Sequence, residues 1–525
     1  MRRLTALTRI RCFLAGGLTA ANLTDRLRDI HGERVAIRSE EPVVVDGRPL
    51  RHLTYGDLHG LTARCGVALD AAGVRPADRV AIAVPNGVPF ALWSLATMRI
   101  GAVAVPLNTL LKPHELADLT AHSGATAIVL DHHGMRDLAP LLPPAVRLVP
   151  ADRLPSAAPP PPHAMIAADA PCLVLYTSGT TQCPRGALHT SAGLFGRMHL
   201  ALLFPSVGRQ LVVMALPLSH VMGLVSFLLP LIAGVPLYVL GTFNAARVLA
   251  TLARERATLF AGVPTMYLQM AAEGLDRFSL ASMRAWISAS DTIPGHVIAR
   301  FKRHGGLVRF RRWSSESVFV DVYGSVEAGG AVLAGISWPG VTPASRGVAA
   351  WPLPHCRTRV VDERGAPVPA GTPGELCVRA PSLLRGYCED RTRAIDDDGW
   401  FHTGDLAVRS RSGVVRIVGR LKDVIKCGGY SVHPAEIERV LAEIPGVERS
   451  VVFGVPHPTK HETPVAAVIA ADGAVVTRES LIARCRTRLA DYKTPRDIFF
   501  INRADLPVTA SLKVMRAELT RRYTA

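Results

Sequence analysis

Short apolar runs alternate with segments of helical period along most of the chain. Residues Arg79–Val84 and Thr126–Leu130 are nearly continuous apolar runs, which is typical of buried strands. Between them, Pro89–Ile100 has the period of a helix and ends before Gly101. The alternation continues with predicted strands at 172–176, 211–216, near 237 and near 259, and a predicted helix at 245–254. This order predicts a large, layered α/β domain whose β-sheets are flanked by helices.

The last part of the chain has shorter elements in a different order. The pattern predicts a helix, two strands and a second helix, at 434–443, 450–455, 465–470 and 478–489. This order indicates a small α+β domain. A chain of 525 residues is also too long for one compact core, so two or more domains are expected.

The composition is that of an ordinary globular protein, with 49% hydrophobic and 20% charged residues. Nine cysteines are scattered without Cys-x-x-Cys pairs or His-rich spacing, which predicts free thiols in a reducing compartment and argues against a zinc site. The formal charge is +17, but the positive residues are nearly all arginines spread along the chain without a basic run. We therefore expect no nucleic-acid partner.

The N-terminal residues lack the pattern of a signal peptide or a membrane anchor. Several arginines precede only a short apolar stretch at 12–15, without the longer apolar region and small-residue cleavage site that a signal peptide needs. No segment reaches the ~18 uninterrupted apolar residues of a membrane span. The sequence thus predicts a cytoplasmic protein.

A segment rich in hydroxyl groups follows the predicted strand at 172–176. Glycine lets backbone N–H groups converge, hydroxyls donate hydrogen bonds to phosphate oxygens, and a cation offsets phosphate charge. The candidate phosphate ligands are Thr177, Ser178, Gly179, Thr180, Thr181, Arg185 and Gly186. The segment differs from the P-loop pattern Gly-x-x-x-x-Gly-Lys-[Ser/Thr]. Taken alone, it is equally compatible with a Ser/Thr-rich surface turn.

This segment resembles the phosphate loop of the adenylate-forming superfamily, which includes acyl-CoA synthetases, luciferases and peptide-synthetase adenylation domains. The usual form there is Thr-Ser-Gly-Thr-Thr-Gly-x-Pro-Lys-Gly. Here Gln182 replaces a glycine and Arg185 replaces the lysine. Arginine keeps the charge but presents a planar fork of donors. Gln182 would be strained if that position needs a positive φ.

Three further segments resemble motifs of the same superfamily. The first, at 217–223, contains His220, which the resemblance implies is a gate beside the acyl pocket and thiol tunnel. The second contains Ser290 and Asp291 and is similar to the adenine-packing segment of benzoate-type ligases. The third, Gly-Trp-Phe-His-Thr-Gly-Asp, places Asp405 where the family has the aspartate that accepts both ribose hydroxyls.

The segment 321–327, Asp-Val-Tyr-Gly-Ser-Val-Glu, supplies further expected nucleotide contacts. The resemblance implies that Tyr323 stacks on adenine beside Gly324, and that Glu327 holds Mg²⁺ against the phosphates. The family usually has threonine before this glutamate, and Val326 lacks that hydroxyl. One lost donor at a developing charge costs roughly 2.7–4 kcal/mol of transition-state stabilisation.

Lysine is scarce in this sequence, yet three lysines fall on motif positions. The resemblance implies that Lys422 is a hinge and that Lys426 begins a loop facing the active site in the second half-reaction. Lys513 resembles the catalytic lysine of adenylation, although Leu512 replaces the usual glycine. Arg420, just before the hinge, is expected to contact ribose and phosphate.

The resemblance spans about residues 20–520 and implies three parts. These are an adenylate-forming domain at 1–419, a hinge at 420–423 and a C-terminal lid domain at 424–525. Residues 307–317 are additional to the usual spacing and are expected to be a surface insertion.

The implied activity is that of an AMP-forming acyl-CoA synthetase of the benzoate-ligase type. A carboxylic acid reacts with ATP and Mg²⁺ to give acyl-AMP, and coenzyme A or the phosphopantetheine of an acyl carrier protein then takes the acyl group. The expected catalytic residues are Lys513, Glu327, His220 and Lys426. The oligomeric state stays open, with a homodimer as one option.

Two alternatives also stay open. The adenylate could pass to an amine or another nucleophile, or the activated substrate could be something other than a carboxylate, because such choices depend on pocket shape. The chain could instead be a degenerate nucleotide-binding homologue with weak catalysis. Gln182, Val326 and Leu512 favour that alternative, whereas the intact Glu327 and Asp405 oppose it.

Overall fold

A computed structural model of the protein describes residues 17–152, 164–177, 185–203, 209–291, 293–310, 313–341, 350–388, 394–508 and 514–524. The helices there are α1 (Leu23–His31), α2 (Tyr55–Ala71), α3 (Val88–Arg99), α4 (Pro113–His122), α5 (His132–Asp137), α6 (Ser191–Phe195), α7 (Val221–Ala233), α8 (Ala245–Arg254), α9 (Pro264–Ala272), α10 (Gly295–Arg303), α11 (Pro434–Ala442), α12 (Arg478–Arg488) and α13 (Arg516–Thr524). Short 3-10 helices lie at Ala139–Leu141, Met198–Leu203, Leu275–Arg277, Leu421–Asp423, Asp491–Lys493 and Arg503–Asp505.

The strands of the large domain are β1 (Val35–Val45), β2 (Arg48–Thr54), β3 (Arg79–Ala83), β4 (Val103–Pro106), β5 (Ala127–Leu130), β6 (Arg147–Pro150), β7 (Pro171–Tyr176), β8 (Gly186–Thr190), β9 (Val212–Met214), β10 (Leu237–Val239), β11 (Leu259–Gly262), β12 (Ala285–Ala289), β13 (Arg309–Phe310), β14 (Trp313–Ser314), β15 (Val318–Ser325), β16 (Gly330–Ser337), β17 (Trp351–Pro352), β18 (Arg357–Val361), β19 (Pro373–Arg379), β20 (Gly386–Tyr387), β21 (Phe401–Arg409) and β22 (Val415–Arg420). Those of the small domain are β23 (Ile425–Cys427), β24 (Tyr430–Val432), β25 (Val447–His457), β26 (His461–Ala470) and β27 (Asp497–Phe500).

Two mainly parallel sheets enclose helix α3. One sheet has the strand order β17-β16-β15-β12-β11-β9-β10-β1-β2, and the other has the order β20-β8-β7-β4-β3-β5-β6. Helix α3 packs against β1 of the first sheet and against β3 and β4 of the second. All of its residues except Pro89 are buried, which explains why its sequence is apolar on every face.

A third, antiparallel sheet has the order β18-β19-β21-β22. Its apolar face includes Leu376 and Val378, which pack with Leu333 of β16 in one hydrophobic cluster. The sheet therefore joins the first sheet through a shared core. Its other face carries polar side chains, among them Glu375 and His402.

The C-terminal elements form a domain with hydrophobic clusters of their own. Strands β24, β23, β26 and β25 pair in that order, and β27 adds to β26 in parallel. Their buried residues, from Ile425 to Leu519, form two clusters separate from those of the large domain. The predicted α/β class, with a large N-terminal and a small C-terminal domain, is confirmed.

Most predicted elements occur within one or two residues of their expected ends, and a few differ more. The strand predicted at 450–455 extends over Val447–His457, and the one predicted at 465–470 begins at His461, because these two strands pair along their whole length. The strand predicted at 211–216 covers Val212–Met214. Residues 307–317 contain the β13–β14 hairpin. Across the described segments, no helix is both long and apolar enough to cross a membrane.

Candidate active site

Three segments predicted from sequence lie near the carboxyl ends of parallel strands. Strands β9, β12 and β15 belong to one sheet, and β9, β11, β12 and β15 are linked through successive parallel pairs. Their carboxyl ends therefore lie at the same edge of that sheet. His220 follows β9, Ser290 follows β12, and Tyr323 lies near the end of β15. Ligands of open α/β sheets bind at such an edge.

The ends of the phosphate-loop segment are joined by two hydrogen bonds. The backbone N–H of Thr177 donates to the Arg185 carbonyl at 3.0 Å, and the Arg185 N–H donates to Thr177 Oγ1 at 3.4 Å. Gly186 begins β8, where a Cβ would come within 3.1 Å of the Cys388 sulfur. The expected ligands Ser178, Gly179, Thr180 and Thr181 lie outside the described residues, as does Gln182.

Arg185 and Glu327 are connected through Tyr387. The Arg185 guanidinium stacks over the Tyr387 ring at 3.6 Å from its centroid, and the Tyr387 hydroxyl donates to Glu327 Oε1 at 3.3 Å. The ring thus spaces the cation of the phosphate segment from the carboxylate expected to hold Mg²⁺. Sequence analysis missed Tyr387, because a tyrosine in a two-residue edge strand carries no periodic or motif signal of its own.

Asp405 is the most constrained of the predicted nucleotide residues. The Tyr323 hydroxyl donates to Asp405 Oδ2 at 2.5 Å, and Arg420 Nε donates to Oδ1 at 2.7 Å. Asp405 and Arg420 are directly opposite on β21 and β22, so the register of the sheet fixes this ion pair. The Asp405 N–H donates to Thr403 Oγ1 at 3.0 Å, a partner that sequence analysis did not single out.

Burial and the Asp405 carboxylate both raise the pKa of Tyr323, so its phenol stays protonated and acts as a donor. The stacking of the Tyr323 ring on adenine stays a prediction, and the hydrogen bond from its hydroxyl to Asp405 fixes the position of the ring. The next residue, Gly324, lies so close to the neighbouring strand that a Cβ would collide with the Gly330 carbonyl. Only glycine is compatible with this approach of β15 and β16.

Ser290 and Asp291 form a turn at the end of β12. Ser290 has a φ of +81°, an uncommon backbone conformation for a residue other than glycine. Asp291 Oδ2 lies 3.7 Å from Arg449 Nη2 of the small domain. Burial and the Asp291 carboxylate together raise the pKa of Asp321 to about 7. Sequence analysis missed Arg449, because one arginine has no distinguishing signal in a sequence rich in arginine.

His220 caps the helix that follows it. Its Nδ1 accepts a hydrogen bond from the Met222 N–H at 3.4 Å, at the start of α7. The side chain is half-buried at the sheet edge described above. This position is compatible with a gate, and the capping bond sets the orientation of the ring.

The lysines predicted for the hinge and the small domain lie in separate elements. Lys426 is exposed on β23, and its Nζ donates to Ser431 Oγ at 3.0 Å within the same hairpin. Lys422 belongs to the 3-10 helix Leu421–Asp423 that follows β22. Lys513 and Leu512 lie outside the described residues.

Comparison with known proteins identifies the class. The family model "AMP-binding enzyme" matches residues 32–388, and "AMP-binding enzyme C-terminal domain" matches residues 436–513. Feruloyl-CoA synthase of Amycolatopsis sp is 35% identical over 483 residues, covering 90% of this chain and 94% of that protein. 4-coumarate–CoA ligase 5 of Oryza sativa subsp. japonica is 30% identical over 532 residues, covering 95% of each chain. The structure of a benzoate CoA ligase from Burkholderia xenovorans LB400 has a TM-score of 0.81 at 27% identity, covering 96% of this chain and 100% of that one.

The fold, the site and these matches define an ATP-dependent ligase that works through an acyl-adenylate. The chain belongs to the AMP-binding enzyme family. It is an AMP-forming acid–thiol ligase that uses ATP and Mg²⁺. Its substrate is a small-molecule carboxylic acid.

Proposed function

We propose that the acid is an aromatic one, of the hydroxycinnamate type, and that coenzyme A is the acceptor. The observation that carries this proposal is the 35% identity to a feruloyl-CoA synthase along nearly the full length of both chains. The chemistry at the sheet edge supports it. Strand β11 lies between β9 and β12 and ends at Gly262, and the buried Val263 follows it, so the chain at this edge is apolar, as the site of an aromatic acid would require.

We assign the nucleoside contacts to Tyr323, Asp405 and Arg420. An aspartate with two oxygens can accept both ribose hydroxyls, and Arg420, already paired with that aspartate, can also reach a phosphate oxygen. Ser290, Asp291 and Gly324 are assigned to the adenine side. The support is the hydrogen bond that joins Tyr323 to Asp405, and the position of Ser290, Asp291 and Gly324 at the ends of the paired strands β12 and β15.

Mg²⁺ fits at Glu327. The group is a half-buried carboxylate, a hard oxygen ligand of the kind that Mg²⁺ prefers. Its partner at 3.3 Å is a neutral hydroxyl, so binding a cation would break no ion pair with Tyr387. The bound ion would neutralise phosphate charge and orient the phosphate oxygens.

The remaining roles belong to the reacting groups. We assign Thr177, Arg185 and Gly186, with the four residues Ser178, Gly179, Thr180 and Thr181, to the departing pyrophosphate. Lys513 is assigned to bridging the carboxylate and the α-phosphate during adenylation. Positioning and charge stabilisation then supply the rate, because little covalent chemistry falls to the protein.

For the second half-reaction we propose a rotation of the small domain. The domain at 424–525 would turn about residues 420–423 against the domain at 1–419, bringing Lys426 to the thiol tunnel while His220 gates the acyl pocket. The exposed position of Lys426 supports this, since its side chain is available for a new contact.

We further propose a cytoplasmic location, where ATP and coenzyme A are both present. A carrier-protein phosphopantetheine is a second candidate acceptor with the same thiol chemistry. A homodimer is the oligomeric state we propose to test, by light scattering after size-exclusion chromatography; a monomer mass at working concentration would contradict it.

The acid and the acceptor can be tested together. Pyrophosphate release would be followed with ferulate, 4-coumarate, benzoate and a long-chain fatty acid, each with coenzyme A, with a carrier protein, with an amine and with no acceptor. We expect the highest kcat/KM with a hydroxycinnamate and turnover that depends on coenzyme A. A higher kcat/KM with the fatty acid would refute the acid assignment, and turnover with the amine alone would refute the acceptor.

A further inference from the structure

Three side chains of types that can bind a metal ion lie together on the polar face of the antiparallel sheet. Glu375 and Cys377 are two residues apart on β19 and so point to the same face. His402 is directly opposite Cys377 on β21. One ligand atom from each of these three residues lies within 4.8 Å of the other two.

The distances between these atoms are close to those of a shared coordination sphere. Cys377 Sγ is 3.5 Å from His402 Nδ1, and the same Nδ1 is 2.9 Å from Glu375 Oε2. In a tetrahedral zinc site with Zn–S of about 2.3 Å and Zn–N of about 2.0–2.1 Å, the sulfur and nitrogen lie roughly 3.5 Å apart. The nitrogen and the carboxylate oxygen would widen from 2.9 Å to roughly 3.3 Å as an ion replaced the hydrogen between them, so a small rearrangement of the trio would enclose an ion.

The chemistry of the ligands and the local charge favour zinc. Thiolate, imidazole and carboxylate together are a typical zinc set. One thiolate and one carboxylate neutralise a divalent ion. Arg359, which is next to Cys377 across the sheet, already pairs with Asp396 at 3.0 Å and stacks on Trp400, so its charge is compensated.

Solvent can complete the site. The Cys377 side chain is fully buried, whereas the His402 side chain is 39% exposed, so the trio extends from the interior to the surface. Three protein ligands and an exposed fourth position leave room for water.

We propose that Glu375, Cys377 and His402 bind Zn²⁺, with water as the fourth ligand. The nine scattered cysteines argued against a zinc site, because no short spacing links them. The tertiary structure instead supplies ligands from two paired strands, 25 residues apart in sequence between Cys377 and His402.

The ion would brace the segment that carries Asp405. Glu375 Oε1 accepts the Gly404 N–H at 3.0 Å, and Thr403 Oγ1 donates to the Leu376 carbonyl at 2.7 Å. The register between β19 and β21 shifts here, so the segment before Asp405 bulges from the ladder. A metal linking β19 to His402 would limit movement of that bulge. This link to ATP affinity rests on the proposed ribose role of Asp405, whereas zinc binding itself does not.

The test uses the full-length protein after removal of metal, followed by titration with Zn²⁺ or Co²⁺. We expect one tightly held ion per chain and thiolate-to-cobalt charge-transfer absorption. Cys377→Ala and His402→Gln should each weaken binding by at least about tenfold, and Cys377→Ala should also abolish that absorption. Cys485→Ala, which removes a buried cysteine of the small domain, should leave both unchanged. Because His402 is exposed, the His402→Gln variant keeps the test valid if Cys377→Ala does not fold.

Absence of the charge-transfer absorption in the wild type, or equal binding by His402→Gln, would overturn the site and leave a hydrogen-bonded trio only. ATP affinity is measured with and without Zn²⁺ on the same samples. We expect Zn²⁺ to tighten ATP binding in the wild type and not in His402→Gln. Zinc binding with unchanged ATP affinity would overturn the bracing role while the metal site stands.

Discussion

The two ends of the nucleotide site are built in different ways. At the nucleoside end, Tyr323, Asp405 and Arg420 hold one another within 2.5–2.7 Å through the register of the large domain's strands. At the reacting end, the Tyr387 hydroxyl lies 3.3 Å from Glu327 Oε1, and the lysines that we propose to be catalytic belong to the C-terminal part of the chain. We therefore propose that the enzyme binds ATP at a preorganised site and assembles its reacting groups by domain placement.

The strongest test of the reacting end is Lys513→Ala. Losing the cation that bridges carboxylate and phosphate should lower the rate of adenylation by about 10²–10³, and leave thiolysis of supplied acyl-adenylate nearly unchanged. Pyrophosphate release and adenylate consumption measure the two steps. Lys460→Ala, an exposed lysine of the same domain, is the control. Equal loss in both steps with the fold preserved would contradict the assignment.

At the nucleoside end, Asp405→Ala should weaken ATP binding by about 10- to 100-fold, because two hydrogen bonds to a charged acceptor are lost. The ATP affinity of Asp405→Asn, which keeps one oxygen, should lie between those of Asp405→Ala and the wild type. Calorimetric titration with ATP measures the effect without any acid present. Unchanged affinity in Asp405→Ala would show that the aspartate does not bind ribose.

A mutation in the predicted hinge should distinguish ATP binding at the nucleoside end from catalysis at the reacting end. Lys422→Pro fixes φ at the residue where rotation is expected, and should slow one half-reaction far more than the other while ATP affinity is kept. Lys422→Ala removes the same side chain without fixing the backbone and serves as the control. If both variants keep wild-type rates in both half-reactions, the small domain does not alternate about this residue.

Asp321, half-buried on β15 close to Asp291, should make stability depend on pH. Its folded-state pKa is about 7 against an ordinary 3.8, so the folded chain binds more protons than the unfolded chain between these values. The free energy of unfolding should therefore fall as pH rises through this window. Denaturant unfolding at pH 5 and 8 should show a smaller fall for Asp321→Asn than for the wild type or the exposed Asp152→Asn. An equal fall in all three proteins would exclude Asp321 as the source.

The smallest effect is expected at Tyr387. Tyr387→Phe removes the hydroxyl that donates to Glu327 but keeps the ring under Arg185. The lost hydrogen bond should weaken the positioning of Glu327 by about 0.5–1.5 kcal/mol. We expect this to appear as a higher Mg²⁺ concentration needed for adenylation. Tyr387→Ala also removes the stacked ring and should raise the KM for ATP. If the phenylalanine variant is the more damaged of the two, the ring does not position Arg185.

Sequence analysis predicted the class of the fold, which is confirmed, and named the candidate nucleotide residues, because both depend on local patterns. A run of apolar residues predicts a strand wherever it pairs, and Trp-Phe-His-Thr-Gly-Asp is recognisable without knowing what lies beside it. It could not give the lengths of strands such as Val447–His457, which depend on pairing with β26. It also could not find Tyr387, whose relevance comes entirely from its neighbours.

The sequence by itself determined the order of elements, the positions of the motif residues and hence the kind of chemistry. Only the tertiary structure decided which side chains meet: Arg449 with Asp291, Tyr387 with Arg185 and Glu327, and Cys377 with His402. These contacts join residues far apart in the chain. Strand register and domain packing set them, and both arise from burial summed over the molecule and not from any short segment.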